Sequence, residues 1–330
     1  MPNPTPSAFA RAVVFGACGF LGREVVRQLA ATGAQVLGID TRPWPGPRPD
    51  GYSHSAGGTG ALPQAAAFLG GGPAERPAGE GNLPPSAFFH LAGLADAGAC
   101  QKNPALAQRL NVDLVAEALA ALARTPCAFV FPSTGIVYGD ALGRPAREDD
   151  PLLPTAEYAR GKIAAEGLVR AACAAGPLCG AIARLSNLYG PGGGENTVLG
   201  RVLAQARRGE ALQVWDESPV RDFLFVSDAA EGLLRLGLAA LGPANAPGHL
   251  EKDCLVENCL VANLSTGLGT RIGALLDLGA ELFHTSRLPQ ERETDAAAPV
   301  SSLVLDNSRL VALTRWRPAV GLAQGLVSCL

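Results

Sequence analysis

Tyr158 and Lys162 stand four residues apart in Tyr158-Ala159-Arg160-Gly161-Lys162. On a helix that spacing puts a phenol and an ammonium on one face, one turn apart. A free phenol titrates near ~10, too high for proton transfer at neutral pH, and a fixed cation beside it favours the phenolate. The pair is therefore a candidate general acid/base. An exposed tyrosine and a solvated lysine on a surface helix share the same spacing, so the chemistry depends on what the rest of the chain places around them.

A second constellation opens the chain. The apolar run Ala12-Val13-Val14-Phe15 reads as a buried strand and leads into Gly16-Ala17-Cys18-Gly19-Phe20-Leu21-Gly22. A helical pattern follows, with Val25, Val26 and Leu29 apolar, and then a strand, Gln35-Val36-Leu37-Gly38-Ile39, that ends at Asp40. Strand, glycine loop, helix, strand and acid, in that order, describe a dinucleotide site. Gly16 permits the tight turn, Gly19 lets the backbone approach a pyrophosphate, and Gly22 lets the helix pack on the sheet. The free N–H groups of the helix N-terminus face the phosphates. Asp40 accepts hydrogen bonds from ribose hydroxyls and repels a 2′-phosphate, which favours NAD over NADP.

Further along, Ala87-Phe88-Phe89-His90-Leu91 and Ala128-Phe129-Val130-Phe131 read as buried strands. The second delivers Ser133 and Thr134 at its carboxyl end, where open α/β sheets bind ligands. A helix rich in small residues is predicted over 104–123 and carries Asn111. Gly180-Ala181-Ile182-Ala183 is a strand ending at Arg184. A weak strand is expected over 52–55 and short helices over 63–69 and 199–208. Another strand is expected over 211–215, with helices over 227–241 and 272–283. Residues 73–83 read as a mobile loop.

The repeated strand-helix units predict an α/β fold, a Rossmann-like doubly wound parallel sheet with a smaller mixed α/β substrate domain. The boundaries expected are 1–178 for the NAD-binding domain and 179–330 for the mainly substrate-binding one. The chain is expected to return to the first domain around 221–241 and 259–264.

Composition removes other classes. The 330 residues carry a formal charge of −3, with 48% hydrophobic and 5% aromatic residues. That leaves no basic surface for nucleic acid and few stacking platforms for single strands. No apolar run of about 18 residues could span a membrane, and the proline-rich start is no signal peptide. None of the eight cysteines forms a CxxC, and there are only four histidines, so no metal is expected. Buried reduced thiols in a cytoplasmic protein are the expected reading.

Together these segments resemble the extended short-chain dehydrogenase/reductases, and within them the NAD-dependent epimerase/dehydratase group that acts on nucleotide sugars. The resemblance runs from about residue 11 to the end. Gly16, Gly19 and Gly22 are similar to the family's glycine fingerprint, and His90-Leu91-Ala92-Gly93 to its cofactor-lining HxA segment. Asn111 matches the family's structural asparagine. Pro132-Ser133-Thr134-Gly135-Ile136-Val137-Tyr138-Gly139 looks like the segment that carries the catalytic hydroxyl, four residues before the tyrosine, which is Thr134. Arg184-Leu185-Ser186-Asn187-Leu188-Tyr189-Gly190-Pro191-Gly192 is similar to RxxNxYGPG, and Arg221-Asp222-Phe223 to the RDF element. Two departures stand out. Gly57-Gly58-Thr59 lacks the acid that contacts adenine in relatives, and Trp215-Asp216-Glu217-Ser218 replaces a glycine turn.

The resemblance implies roles. Thr134, Tyr158, Lys162 and Asn111 form the catalytic set, Asn111 by holding a helix and a water chain. Gly16, Gly19, Phe20, Leu21, Gly22, Asp40, Leu91, Ala92 and Gly93, with Tyr158 and Lys162, bind NAD. Ser133, Thr134, Asn187 and Arg221 bind a nucleotide-sugar substrate, the last two at its diphosphate. His90 and Arg184 read as structural. Relatives that dehydrate or decarboxylate carry an acid just after the catalytic hydroxyl, and here Gly135, Ile136 and Val137 follow. That leaves 4-epimerisation of a UDP-hexose, through a transient 4-keto sugar, as the leading expectation. An NAD-dependent sugar dehydrogenase or reductase, and a non-catalytic NAD-binding protein, are the alternatives. By analogy the helices over 104–123 and 156–173 form the interface of a homodimer.

Overall fold

The computed structural model describes residues 9–70, 85–139, 143–242, 255–256, 258–290 and 301–330. The strands in chain order are β1 (Arg11–Phe15), β2 (Gln35–Asp40), β3 (Tyr52–Ala56), β4 (Ser86–His90), β5 (Ala128–Thr134), β6 (Cys179–Leu185), β7 (Asn187–Tyr189), β8 (Val220–Phe225), β9 (Leu255–Val256), β10 (Cys259–Leu264), β11 (Gly269–Arg271) and β12 (Ser302–Leu303). The helices are α1 (Phe20–Ala31), α2 (Leu62–Gly70), α3 (Ala97–Lys102), α4 (Pro104–Gln108), α5 (Leu114–Ala121), α6 (Glu157–Ala175), α7 (Val198–Arg207), α8 (Val226–Ala240), α9 (Ile272–Leu282), α10 (Ser308–Thr314) and α11 (Leu322–Val327).

The large sheet has the order β3-β2-β1-β4-β5-β6-β10-β9. It is parallel except for β9, which pairs antiparallel with β10. The central strands are buried along their length, as a sheet covered on both faces requires. On one face Val25, Val26 and Leu29 of α1 and Leu233 and Leu236 of α8 pack on the sheet, and Trp316 seals that side. On the other face lie Leu62 and Leu69 of α2, Val115 of α5, and Val169 of α6. This is the Rossmann-like, doubly wound arrangement. The strand order reverses between β1 and β4, and the crevice at their carboxyl ends is where such sheets bind ligands.

A second, smaller sheet is built on β8, which pairs with β11, β12 and β7. Its core joins Leu203 of α7, Phe223, Leu275 of α9 and Leu326 of α11. Among the described residues no helix is long and apolar enough to cross a membrane.

Two expectations change. The helix over 104–123 is interrupted by a π-helical turn, Arg109–Asp113, between α4 and α5. The extra residue of such a turn brings Asn111 into the interior. The strand expected over 211–215 does not form. Only Leu212 pairs there: its N–H donates to the Ser286 carbonyl, and its own carbonyl accepts from the Leu288 N–H. The Gln213 N–H is taken instead by the Gln205 side chain, so no ladder propagates. The loop expected over 73–83 lies outside the described residues.

Candidate active site

The glycine loop between β1 and α1 is set by contacts that no side chain would survive. Gly16 has φ +92°, and a Cβ there would lie 2.6 Å from the Ala92 nitrogen. A Cβ on Gly22 would lie 2.1 Å from the Gly16 carbonyl oxygen, so helix and loop touch through bare backbone. Gly19 caps α1 without a side-chain hydrogen bond, which leaves the helix N-terminus open. A bare, positively polarised cradle of this kind fits a pyrophosphate.

Asp40 sits at the end of β2 and is 7% exposed. One carboxylate oxygen accepts the Cys18 N–H (2.9 Å), and the other accepts the Arg42 N–H (2.9 Å) and Nε (3.2 Å). Burial works to raise its pKa, but these donors outweigh it and hold Asp40 below the usual carboxylate range.

A cavity of about 410 Å³ opens at the carboxyl ends of the strands. Its wall includes Gly19, Phe20, Leu21, Gly22, Leu91, Ala92, Gly93, Asn111, Ser133, Thr134, Tyr158, Lys162 and Asn187. Residues from six separate segments thus converge on one space. Gly16, Asp40 and Arg221 are not part of the wall.

Helix α6 explains how Tyr158 and Lys162 reach the cavity. Its buried stripe is Ala159, Lys162, Ala165, Glu166, Val169 and Cys173, a helical period with two charges set into it. Lys162 donates to the Pro132 carbonyl at 2.9 Å and lies 4.6 Å from the Phe131 ring centre. Burial pushes its pKa from 10.5 down to about 8, against the pull of Glu166. The Tyr158 ring centre is 5.9 Å from the Lys162 Nζ. Burial, with the nearby Cys100 a lesser cause, raises the Tyr158 phenol above its ordinary value. The lowering expected from Lys162 is not present, because the ammonium is turned to a backbone carbonyl and burial dominates.

Thr134 ends β5, and its hydroxyl caps the following 3₁₀ turn by accepting from the Ile136 N–H at 3.4 Å. The Ser133 hydroxyl is buried with no protein partner. Both ring nitrogens of His90 also lack one. Its ring is enclosed by phenylalanines, Phe15 at 5.3 Å and Phe131 at 6.1 Å, and burial with the Lys162 charge pushes its pKa down to about 4. Asn111 bonds both polar groups of Leu94, accepting the N–H at 2.8 Å and donating to the carbonyl at 3.0 Å. It thereby fixes the loop after β4.

The second half supplies the opposite wall. Asn187 donates to the Asp222 carbonyl at 3.1 Å. Arg221 donates to the Ser301 hydroxyl at 2.6 Å, on β8 of the smaller sheet. Arg184 lies under the floor, bonded to Glu166 at 2.8 Å and to the Tyr138 hydroxyl at 2.9 Å. Sequence reasoning did not single out Ser186, Asn196 or Thr197, which also line the cavity. Asn196 donates to Asp96 at 3.1 Å, tying two loops 100 residues apart. Thr197 caps α7 by accepting the Gly200 N–H, and a threonine before an apolar run was the available signal.

The chain matches the family model described as "NAD dependent epimerase/dehydratase family" over residues 12–242. It is similar to a dTDP-6-deoxy-L-talose 4-dehydrogenase (NAD(P)(+)) of Kitasatospora kifunensis, 30% identical over 305 residues, covering 90% of this chain and 85% of that protein. It is similar to a UDP-glucose 4-epimerase of Mycolicibacterium smegmatis, 29% identical over 324 residues and 96% of each chain. Among solved structures it resembles the UDP-glucose 4-epimerase of Thermus thermophilus in complex with NAD, with TM-score 0.74, 25% identity and 96% of each chain covered.

Proposed function

The chain belongs to the NAD-dependent epimerase/dehydratase family, and on that premise we propose that it is a nucleotide-sugar 4-epimerase acting on a UDP-hexose. One observation carries this reading. The cavity wall presents a phenol, an ammonium and hydroxyls, and among the described residues that line it there is no aspartate or glutamate. The position after Thr134 is a glycine, Gly135, packed against Leu305: a Cβ there would lie 2.9 Å from the Leu305 methyls, so any side chain would first have to displace them. Elimination of water and loss of carbon dioxide both call on a carboxylate here in relatives. Oxidation and reduction at one carbon need only a single acid/base.

In this reading Tyr158 takes the proton of the sugar 4-hydroxyl and later returns it. Lys162 brings a positive charge 5.9 Å from the Tyr158 ring centre, which favours the phenolate against the burial that disfavours it. Thr134 donates a hydrogen bond to the reacting oxygen, and Ser133 brings a second hydroxyl to the same strand end. Asn187 and Arg221 hold the diphosphate, Arg through its planar fork. The glycine loop and Asp40 would hold NAD, at its pyrophosphate and its ribose, and NAD would supply the hydride acceptor and donor at the reacting carbon. Asn111 positions the loop that carries Leu94. The buried hydrogen bonds from Arg184 to Glu166 and Tyr138 brace the floor.

The test is to incubate the protein with UDP-glucose, UDP-galactose and their N-acetyl and uronic forms, and to follow equilibration by NMR. Interconversion of a 4-epimer pair without net reduction of the cofactor is expected. A second reading has its own support, since a relative at 30% identity is a 4-dehydrogenase that reacts at the same carbon. Net formation of reduced cofactor with one sugar, and no epimer, would establish that reading instead.

A further inference from the structure

Three neighbouring strands of the large sheet open on a cysteine. Cys127 precedes β5, Cys179 begins β6 and Cys259 begins β10. The Cys179 N–H donates to the Cys127 carbonyl at 3.0 Å, and Cys259 lies beside Gly180 in the register of β10 with β6. A further cysteine, Cys173, comes from the end of α6 and shares a buried cluster with Cys127 and Cys259. These thiols stand at the amino ends of the strands, away from the cavity, and the mechanism uses none of them.

Gly180 brings two of the sulfurs together. A Cβ there would lie 2.5 Å from the Cys259 Sγ and 2.9 Å from the Cys173 Sγ, so both sulfurs sit over the space a side chain would fill. The two thiols are hydrogen-bonded with the proton on Cys259, and that bond holds Cys173 below the ordinary thiol range. A thiolate is the reactive form of cysteine, and a second thiol in contact with it is the resolving partner that a disulfide needs. Both residues are closed to solvent, Cys173 at 0% and Cys259 at 1% exposed. However, α6 ends at Ala175, two residues beyond Cys173, and helix ends fray, which admits an oxidant little larger than water.

Bonded sulfurs stand ~2.05 Å apart, against ~3.5–4.0 Å for unbonded heavy atoms in contact. Closing that gap moves one of the two elements. The register pairs that run from Cys259 to Leu264 hold β10 to β6, so α6 yields. Cys173 lies on the same buried stripe as Lys162, about three turns along the helix. A displacement of ~1 Å at reacting groups costs up to ~10²-fold in rate.

We propose that Cys173 and Cys259 form a redox switch: a peroxide joins them in a disulfide that draws α6 toward β10 and takes Tyr158 and Lys162 out of productive geometry. The Cys173 thiolate attacks one peroxide oxygen, the O–O bond breaks, and the departing hydroxide takes up the proton that Cys173 has lost. The Cys259 sulfur then attacks the resulting sulfenic acid. The S–O bond breaks and a second water leaves with the Cys259 proton, so two electrons pass from the thiols to the peroxide. The loss of turnover rests on the acid/base reading above, whereas the disulfide and the helix shift do not.

The experiment treats the reduced full chain with hydrogen peroxide and maps its peptides without reduction. The peptide of Cys173 should be joined to that of Cys259, with the intact mass lower by two hydrogens. Hydrogen exchange at the amides of residues 157–162 should quicken, and turnover should fall at least ~10-fold and return with dithiothreitol. Cys173→Ala and Cys259→Ala should each keep their turnover before and after peroxide. Oxidation that leaves these two cysteines unlinked, or pairs either with another, would overturn the proposal. So would a mapped disulfide with exchange and turnover as in the reduced protein. A reduced protein with no turnover on any nucleotide sugar removes the epimerase reading alone, and the peptide map with the exchange data then decides the switch.

Discussion

Replacing Lys162 with Met should separate stability from function. Lys162 is a buried cation whose pKa falls from 10.5 to about 8, a fall worth about 3 kcal/mol against the charged form. Lys162→Met removes that cost and keeps the length of the stem. It also strips the Pro132 carbonyl of its 2.9 Å partner, which costs about 1–3 kcal/mol. The net expectation near pH 7 is a protein as stable as the wild type or more so by up to about 2 kcal/mol. The pH dependence is sharper. Between the folded value and 10.5 the unfolded chain holds the extra proton, so the wild type gains stability as pH rises through that window. The variant lacks this gain, and its advantage should shrink by about 2 kcal/mol between about pH 7 and about pH 9.5. Urea denaturation of both proteins, followed by circular dichroism across that range, measures the difference directly. A variant less stable by more than about 1 kcal/mol near pH 7, or an advantage that does not narrow on raising the pH, would refute the reasoning. Turnover should drop at least ~10²-fold even where stability improves, because the phenolate loses its counter-charge.

Tyr158→Phe should leave folding and NAD binding intact and cost ~10²–10⁴ in turnover, read by NMR on the epimer pair. Asp40→Ala should weaken NAD by about 1–3 kcal/mol, measured by titration; undiminished NAD affinity would move the ribose contact elsewhere. Arg184 and Glu166 form a pair with each side chain 3% exposed, and Arg184→Met should destabilise by about 3–5 kcal/mol because Glu166 is left buried and uncompensated; a stability loss under about 1 kcal/mol would show the network to be dispensable. By analogy with relatives, the helices α4, α5 and α6 should form a homodimer interface, and sedimentation that finds only monomer at micromolar concentration would remove that assignment.

The local parts of this protein were written in consecutive residues. The glycine loop was legible because its glycines come at fixed offsets within one strand-loop-helix unit, where Gly22 meets the Gly16 carbonyl. The strands β1, β4 and β5 were legible as unbroken apolar runs, which only a doubly covered sheet accommodates. The four-residue spacing of Tyr158 and Lys162 was legible for the same reason, since one turn of helix relates them. What the sequence could not express was distance through space. It did not contain the π-helical turn that points Asn111 at Leu94, because that turn is stabilised by a loop 17 residues away. It did not reveal that Leu305 fills the place after Thr134, or that Arg221 reaches Ser301. Charge states were the least accessible. Lys162 beside Tyr158 predicts a lowered phenol, yet burial raises it, and Asp40 alone predicts exclusion of a 2′-phosphate, yet Arg42 sits across its carboxylate. Desolvation and ion pairing depend on which atoms surround a group once the chain has closed, and only tertiary structure decides that.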